Sequence, residues 1–244
     1  MNSNKLGGTE MTNHIADISQ RQAAIIAGFG LLITIIGVIF ASIFVDNLIV
    51  PGDAAETANN IMANEGLFRT GIVSWLFVLI GDVVRAWALY VFFKQVNKSL
   101  SLLAGWFMLI HAAIFGITQL NLVFASELLG GAGYFTVFEP NQLHALVLLF
   151  INGYNYGFQI GLFFFSFHLF VLGYLVFKSG YIPRILGVLL IVAFFGYLID
   201  SAGQILPNYP EIISQVVTVP NTIAELALIV WLVFKGGKIP EMKS

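Results

Sequence analysis

The chain has 244 residues, of which 58% are hydrophobic and only 10% charged, with a mean hydropathy of +0.89. A soluble domain carries roughly 25% charge, so a water-soluble globular fold is excluded. The 23 Phe, 8 Tyr and 4 Trp exclude a solvated disordered chain. The net charge of −2 gives no support to nucleic-acid binding, and the absence of cysteine removes disulfides, thiolate metal sites and Cys nucleophiles.

A helix needs about 20 apolar residues to cross roughly 30 Å of hydrocarbon. Six runs meet that requirement, at 22–45, 69–93, 100–127, 153–177, 182–203 and 213–235. They predict an all-α polytopic bundle forming one transmembrane domain over 22–235, with polar cytoplasmic tails at 1–21 and 236–244. The first run follows about twenty polar residues and lacks a small-residue cleavage site, so it reads as a retained span. Asp53 with Glu56 three residues on reads as a helix cap, opening a short amphipathic helix over 54–64. That helix is expected to bury Ala58, Ile61 and Met62 and to end at Gly66. The stretch 141–177 admits two readings: one helix of about 55 Å, or two separated at Asn152-Gly153-Tyr154-Asn155 with an outer helix opened by Pro140. Gly180 and Pro183 close one helix and open the next, which makes Lys178–Arg184 a tight hairpin. Pro220 either kinks the last span or starts its second half.

Positive residues orient the chain. With the N-terminus inside, Lys5, Arg21, Lys94, Lys98, Lys178, Arg184, Lys235, Lys238 and Lys243 fall at inner ends. The outer side holds Arg69 alone among cations, with Asp46, Asp53, Glu56, Glu65, Glu127, Glu139, Asp200 and Glu211. Both termini are therefore expected in the cytoplasm. Asn97-Lys98-Ser99 matches a glycosylation acceptor but falls on the inner side, and so is discounted.

The functional signal is a layer of ionisable residues. Asp82, Arg85, His111, His168 and Glu225 lie on four spans. Counted from the inner helix ends, all fall roughly 12–17 Å deep, near the bilayer middle, where a charge demands a partner or a role. Asp82 and Arg85 are spaced to pair on one helix face. His168 shares a stripe with Gly161, Gly157 and Tyr154, and Gly157-x-x-x-Gly161 admits a close neighbouring helix. Three readings fit the layer. It is polar glue between helices, or a proton or small-ligand pathway, or a site for a divalent metal held by His111 and His168 with Asp82 or Glu225. A bis-histidine haem has no further support.

A second polar level near the outer surface comprises Gln119, Asn121, Asn152, Asn155, Gln159, Asp200 and Gln204. It reads as a vestibule above the layer or as ordinary interfacial polarity. Arg69 is expected to clamp onto Asp200 or Asp46, and His144 to sit in solvent beyond Pro140. No phosphate loop, dinucleotide fingerprint or catalytic-triad order is present.

Val50-Pro51-Gly52-Asp53-Ala54-Ala55, Gly66-Leu67-Phe68-Arg69 and the run from Phe177 to Gly187 carry a resemblance over residues 20–235. The chain resembles a bacterial multi-pass membrane family catalogued only as a domain of unknown function. The resemblance implies a plasma (inner) membrane protein and carries over no catalytic role. Taken together, the sequence reads as a membrane protein that binds or conducts a small ligand or proton through the mid-bilayer layer. The alternatives are a metal-dependent intramembrane enzyme using the same residues, and a structural or accessory subunit. The bilayer is its expected surrounding, and six helices suit a homodimer.

Overall fold

The computed structural model describes residues 18–131 and 137–238; Lys5, His14 and Lys243 lie outside them. The described residues form seven α-helices: α1 Gln20–Phe44, α2 Ala54–Ala63, α3 Glu65–Phe93, α4 Lys98–Leu129, α5 Pro140–Ser179, α6 Arg184–Ile205 and α7 Glu211–Phe234. All but α2 are long and apolar enough to cross a bilayer, and the chain is a multi-pass membrane protein.

Helix ends follow local chemistry. The Ser19 hydroxyl accepts from the Gln22 N–H at 3.2 Å while the Gln22 side chain accepts from the Ser19 N–H at 2.9 Å, so two orphan donors of α1 are satisfied reciprocally. Asn97, in the discounted glycosylation tripeptide, caps α4 by accepting from Leu100 N–H at 2.9 Å. Gly180 ends α5 at φ 76°, a left-handed conformation a side chain would oppose, and Pro183 caps α6.

Three expectations are corrected. The amphipathic helix ends at Asn64, and Gly66 lies inside α3, which starts at Glu65 and not at 69. Ala58 and Ile61 are buried as expected, but Met62 is 46% exposed because it points off the packed face. His144 is half-buried on α5. Of the two readings for 141–177, the structure has one: α5 is a single helix of 40 residues, about 60 Å long. The polar cluster does not break it, because the seam Val147, Ile151, Tyr154 stays in phase and packs with Ile61 of α2 and Leu122, Ala125 and Leu128 of α4. The overhanging hairpin of α4 and α5 is thus covered by α2. α7 likewise runs on through Pro220.

The apolar interior is divided in two. One core joins the Lys94 end of α1, α3, α4, α5, α6 and α7, with Phe92, Met108, Leu172, Leu190 and Leu232. The other joins the Arg69 end of α1 to α5, with Phe68, Trp75, Phe115, Leu122 and Ile151. On α3 the first buried residues past Val78 are Gly81, Asp82 and Arg85, before the Lys94-end core begins at Ala86. On α4 His111 occupies the same gap between Met108 and Phe115. The ionisable residues therefore sit at the seam where the apolar packing changes over.

Glycines let the helices close around that seam. A Cβ on Gly81 would lie 3.1 Å from Thr34 Oγ1, and one on Gly161 would lie 3.2 Å from His111 Nδ1. The Gly153, Gly157, Gly161 stripe of α5 seats Asn121, Thr118 and His111 of α4 in turn.

Candidate functional site

Arg85 and Asp82 are 3% and 2% exposed. An isolated charge at this depth is costly, and each is satisfied by the other: Arg85 Nη2 lies 3.1 Å from Asp82 Oδ1, on the i, i+3 spacing of α3. Thr34 of α1 donates to the same oxygen at 3.3 Å. His111 Nε2 of α4 lies 3.8 Å from Asp82 Oδ2. Arg85 Nη2 also meets Met108 Sδ at 3.1 Å, and its guanidinium lies over the Phe165 ring at 5.6 Å. Arg85 Nε and His111 Nδ1 are buried and make no hydrogen bond.

The Phe165 ring ties the rest of the layer to this pair. It packs against His111 at 5.3 Å, His168 at 5.8 Å and Tyr197 at 5.3 Å between centroids. His168 Nδ1 is 2.8 Å from the Ala104 carbonyl. A carbonyl only accepts, so Nδ1 carries the proton and a neutral ring holds its lone pair on Nε2. Glu225 of α7 meets a hydroxyl and not a cation: Tyr197 of α6 donates to Glu225 Oε1 at 2.5 Å. Arg85, His168 and Glu225 then line a common cavity of about 10 Å³ with Leu31, Leu89 and Leu228, room for one water molecule. All five residues singled out by sequence thus converge, and every membrane-crossing helix contributes to the cluster.

Two members are missed by sequence reasoning. Thr34 is the lone hydroxyl in the apolar run 23–41 of α1, a usable signal. Tyr197 has a weaker one, in lying one turn before Asp200 on α6.

The outer polar level resolves into separate parts. Gln159 donates to Gln204 at 3.0 Å, Gln204 donates to Asp200 at 2.9 Å, and the Ser214 hydroxyl donates to Asp200. This network joins α5, α6 and α7 where the second core does not reach, and Tyr197 stands one turn below Asp200. Tyr209, in the loop between α6 and α7, is raised above the usual phenol range, first by burial and then by the negative charge of Asp200. Asn121 is turned inward instead, donating to the Thr118 carbonyl at 3.1 Å, while Asn152 and Asn155 are exposed. Gln119 is buried, with only a 3.4 Å contact to the Phe115 carbonyl.

Arg69 is a correction. It pairs with Glu65 at 2.8 Å and Glu127 at 3.3 Å, and not with Asp200 or Asp46. Glu65 stands one turn before it on α3, antiparallel α4 delivers Glu127, and Asp200 is already engaged by Gln204 and Ser214. Among the described residues no three His, Asp or Glu side chains are grouped to hold a metal. His111 and His168 both pack on the Phe165 ring.

The chain is 32% identical over 173 residues to an uncharacterized protein of Archaeoglobus fulgidus, an alignment covering 71% of this chain and 88% of that one. No solved structure matches it. Residues 26–236, which hold five of the spans whole, the first from Ile26 onward and both polar levels, match the family described as a domain of unknown function, DUF4386. The chain belongs to that family.

Proposed function

We propose that this protein takes up a proton into the mid-membrane layer, with Glu225 as the exchanging group and the Asp200 network as its way in. The observation that carries this reading is the Tyr197 hydroxyl, bonded to Glu225 at 2.5 Å and standing one helical turn from Asp200. A hydroxyl both donates and accepts, so it passes a proton between two carboxylates without moving far. Asp82 and Arg85 neutralise each other, which leaves Glu225 as the carboxylate of the layer without a cation in contact. The cavity supports a proton over a larger ligand, since it admits one water molecule between Glu225, Arg85 and His168. A water held there would bring His168, with its Nε2 lone pair, into a relay from Glu225. The rest of the cavity lining is apolar, with Leu89, Leu169 and Leu172 among it, whereas the Asp200 network offers polar groups, which supports entry from the Asp200 side.

The protein resides, in this reading, in the plasma membrane with both termini cytoplasmic. Charge supports that orientation. Among the described residues, the end holding Lys94, Lys98, Lys178, Arg184, Lys235, Lys238 and Arg21 carries no carboxylate, whereas the opposite end carries eight and a single arginine, Arg69. Infrared difference spectroscopy on the protein in lipid bilayers tests the assignment. A protonated-carboxyl band is expected to titrate with pH in the wild type and to be missing in Glu225→Gln. A titrating band that survives intact in Glu225→Gln refutes it.

A further inference from the structure

Independently of the proton site, the outer flank of α6 and α7 forms a groove. The two helices meet closely where Asn221 seats against Gly196, so closely that a Cβ there would collide with the amide. From that contact towards Lys235 they leave an apolar groove of about 690 Å³, walled by Pro183, Leu186, Ala227, Trp231 and Phe234 and closed at its end by Lys235. Its size is that of sites that hold extended organic ligands. Its chemistry changes along its length, from wholly aliphatic to aromatic at Trp231 and then cationic at Lys235. Trp231 in that place matches the residue type that settles at the headgroup level.

The cationic mouth is not local to one side chain. Gly236 packs on Ala24, where a Cβ would lie 2.8 Å from the alanine methyl, and this turns the chain back so that Lys238 stays at the rim of the bundle. Arg184, between the groove residues Pro183 and Ile185, is exposed beside it. No Asp or Glu among the described residues lies at this end to neutralise these cations. An anionic headgroup supplies these cations with a counter-charge, which a neutral lipid does not. We infer that the α6–α7 groove is a binding site for an anionic phospholipid, with an acyl chain along Leu186, Ala227 and Trp231 and the phosphate at Lys235. Basic pockets between membrane helices recognise anionic headgroups by this complementarity.

Trp231 supplies the probe. Trp75 is 2% exposed, and Trp87 and Trp106, which face outward, are replaced by phenylalanine so that Trp231 reports on lipid contact. The full chain is reconstituted in phosphatidylcholine with increasing phosphatidylglycerol, one or the other lipid carrying brominated acyl chains that quench tryptophan. Brominated phosphatidylglycerol is expected to reach half-maximal quenching at a clearly lower mole fraction than brominated phosphatidylcholine. Each lysine near an anionic headgroup contributes about fivefold, so Lys235→Gln is expected to cut the preference about fivefold. Ala227→Phe, which fills the groove, is expected to reduce quenching by both lipids while leaving the exposed charges in place. Superimposable curves for the two lipids overturn the inference, as does a preference untouched by Lys235→Gln. A Trp231 that neither lipid quenches, as a second copy of the chain packed there would make it, overturns it too.

Discussion

Changing Asp82 to Asn keeps the shape of the side chain and removes its charge, leaving Arg85 at the centre of the bundle with no anion in contact. The structure gives Arg85 little else. Its Nη2 has Met108 Sδ at 3.1 Å, its Nε has no partner, and Phe165 offers only its ring face. Removing one member of a buried pair costs about 3–5 kcal/mol, and at 3% exposure Arg85 has no bulk solvent to soften it. Asp82→Asn is therefore expected to lower stability by that amount in reversible unfolding in mixed detergent micelles, followed by helical circular dichroism. Arg85→Met strands Asp82 instead, which still accepts from Thr34 and lies near His111, so its cost is expected at the lower end of that range. The double variant strands neither charge. It is expected to lose about 1–2 kcal/mol, for a weakened Thr34 hydrogen bond and altered packing, far less than the two singles added. The reasoning is refuted if Asp82→Asn costs under about 1 kcal/mol or if the double variant equals the sum of the singles.

Glycine packing gives opposite expectations at two sites. Gly187→Ala places its methyl 2.7 Å from the Gly173 carbonyl and 2.8 Å from the Phe177 nitrogen, both backbone; α5 and α6 must separate, at about 1–3 kcal/mol in the same unfolding assay. Gly66→Ala meets nothing within 4 Å inside α3, and is expected to stabilise by about 0.5–1 kcal/mol through helix propensity. Tyr181, in the turn between α5 and α6, shares a hydrogen bond with Gln20 at 3.0 Å, and burial first of all holds its phenol above the ordinary range. Because the folded state resists ionisation, its contribution is complete below about pH 10, the unfolded value, and is lost as pH rises through the higher folded one. A pH series of unfolding midpoints is expected to show that loss in the wild type and a shallower one in Tyr181→Phe. Glu127→Gln, which removes one partner of the half-exposed Arg69, is expected to cost less than about 1 kcal/mol and to be masked by added salt.

Much of this architecture is legible in the sequence because bilayer physics writes it there. Continuous apolar runs fix where helices cross, and a residue's distance from a helix end fixes its depth, which is how Asp82, His111, His168 and Glu225 fall on one level before any contact is known. Facing is legible only where a periodic feature reveals it, as the glycine stripe does for His168 and the i, i+3 spacing for Asp82 and Arg85. Partner choice is not. Arg69 finds Glu65 on its own helix and Glu127 on α4, a choice set by which helices are neighbours. Tyr197 is only faintly marked for the same reason, since its meaning depends on Glu225, 28 residues away on α7. The unbroken α5 was ambiguous because Asn152 and Gly153 are poor helix formers locally, and the decision lies with Asn121 and α2, which pack on that overhang.

The central claim is that a proton reaches Glu225 from the Asp200 side through the Tyr197 hydroxyl. It is tested most directly by time-resolved infrared detection of Glu225 after a pH jump, with wild type and Tyr197→Phe oriented in one direction in vesicles. The account predicts that Glu225 responds when the jump is made on the Asp200 face, stays silent when it is made on the Lys94 face, and responds more slowly once the hydroxyl is gone. Equal responses from both faces, with a rate indifferent to Tyr197→Phe, contradict it.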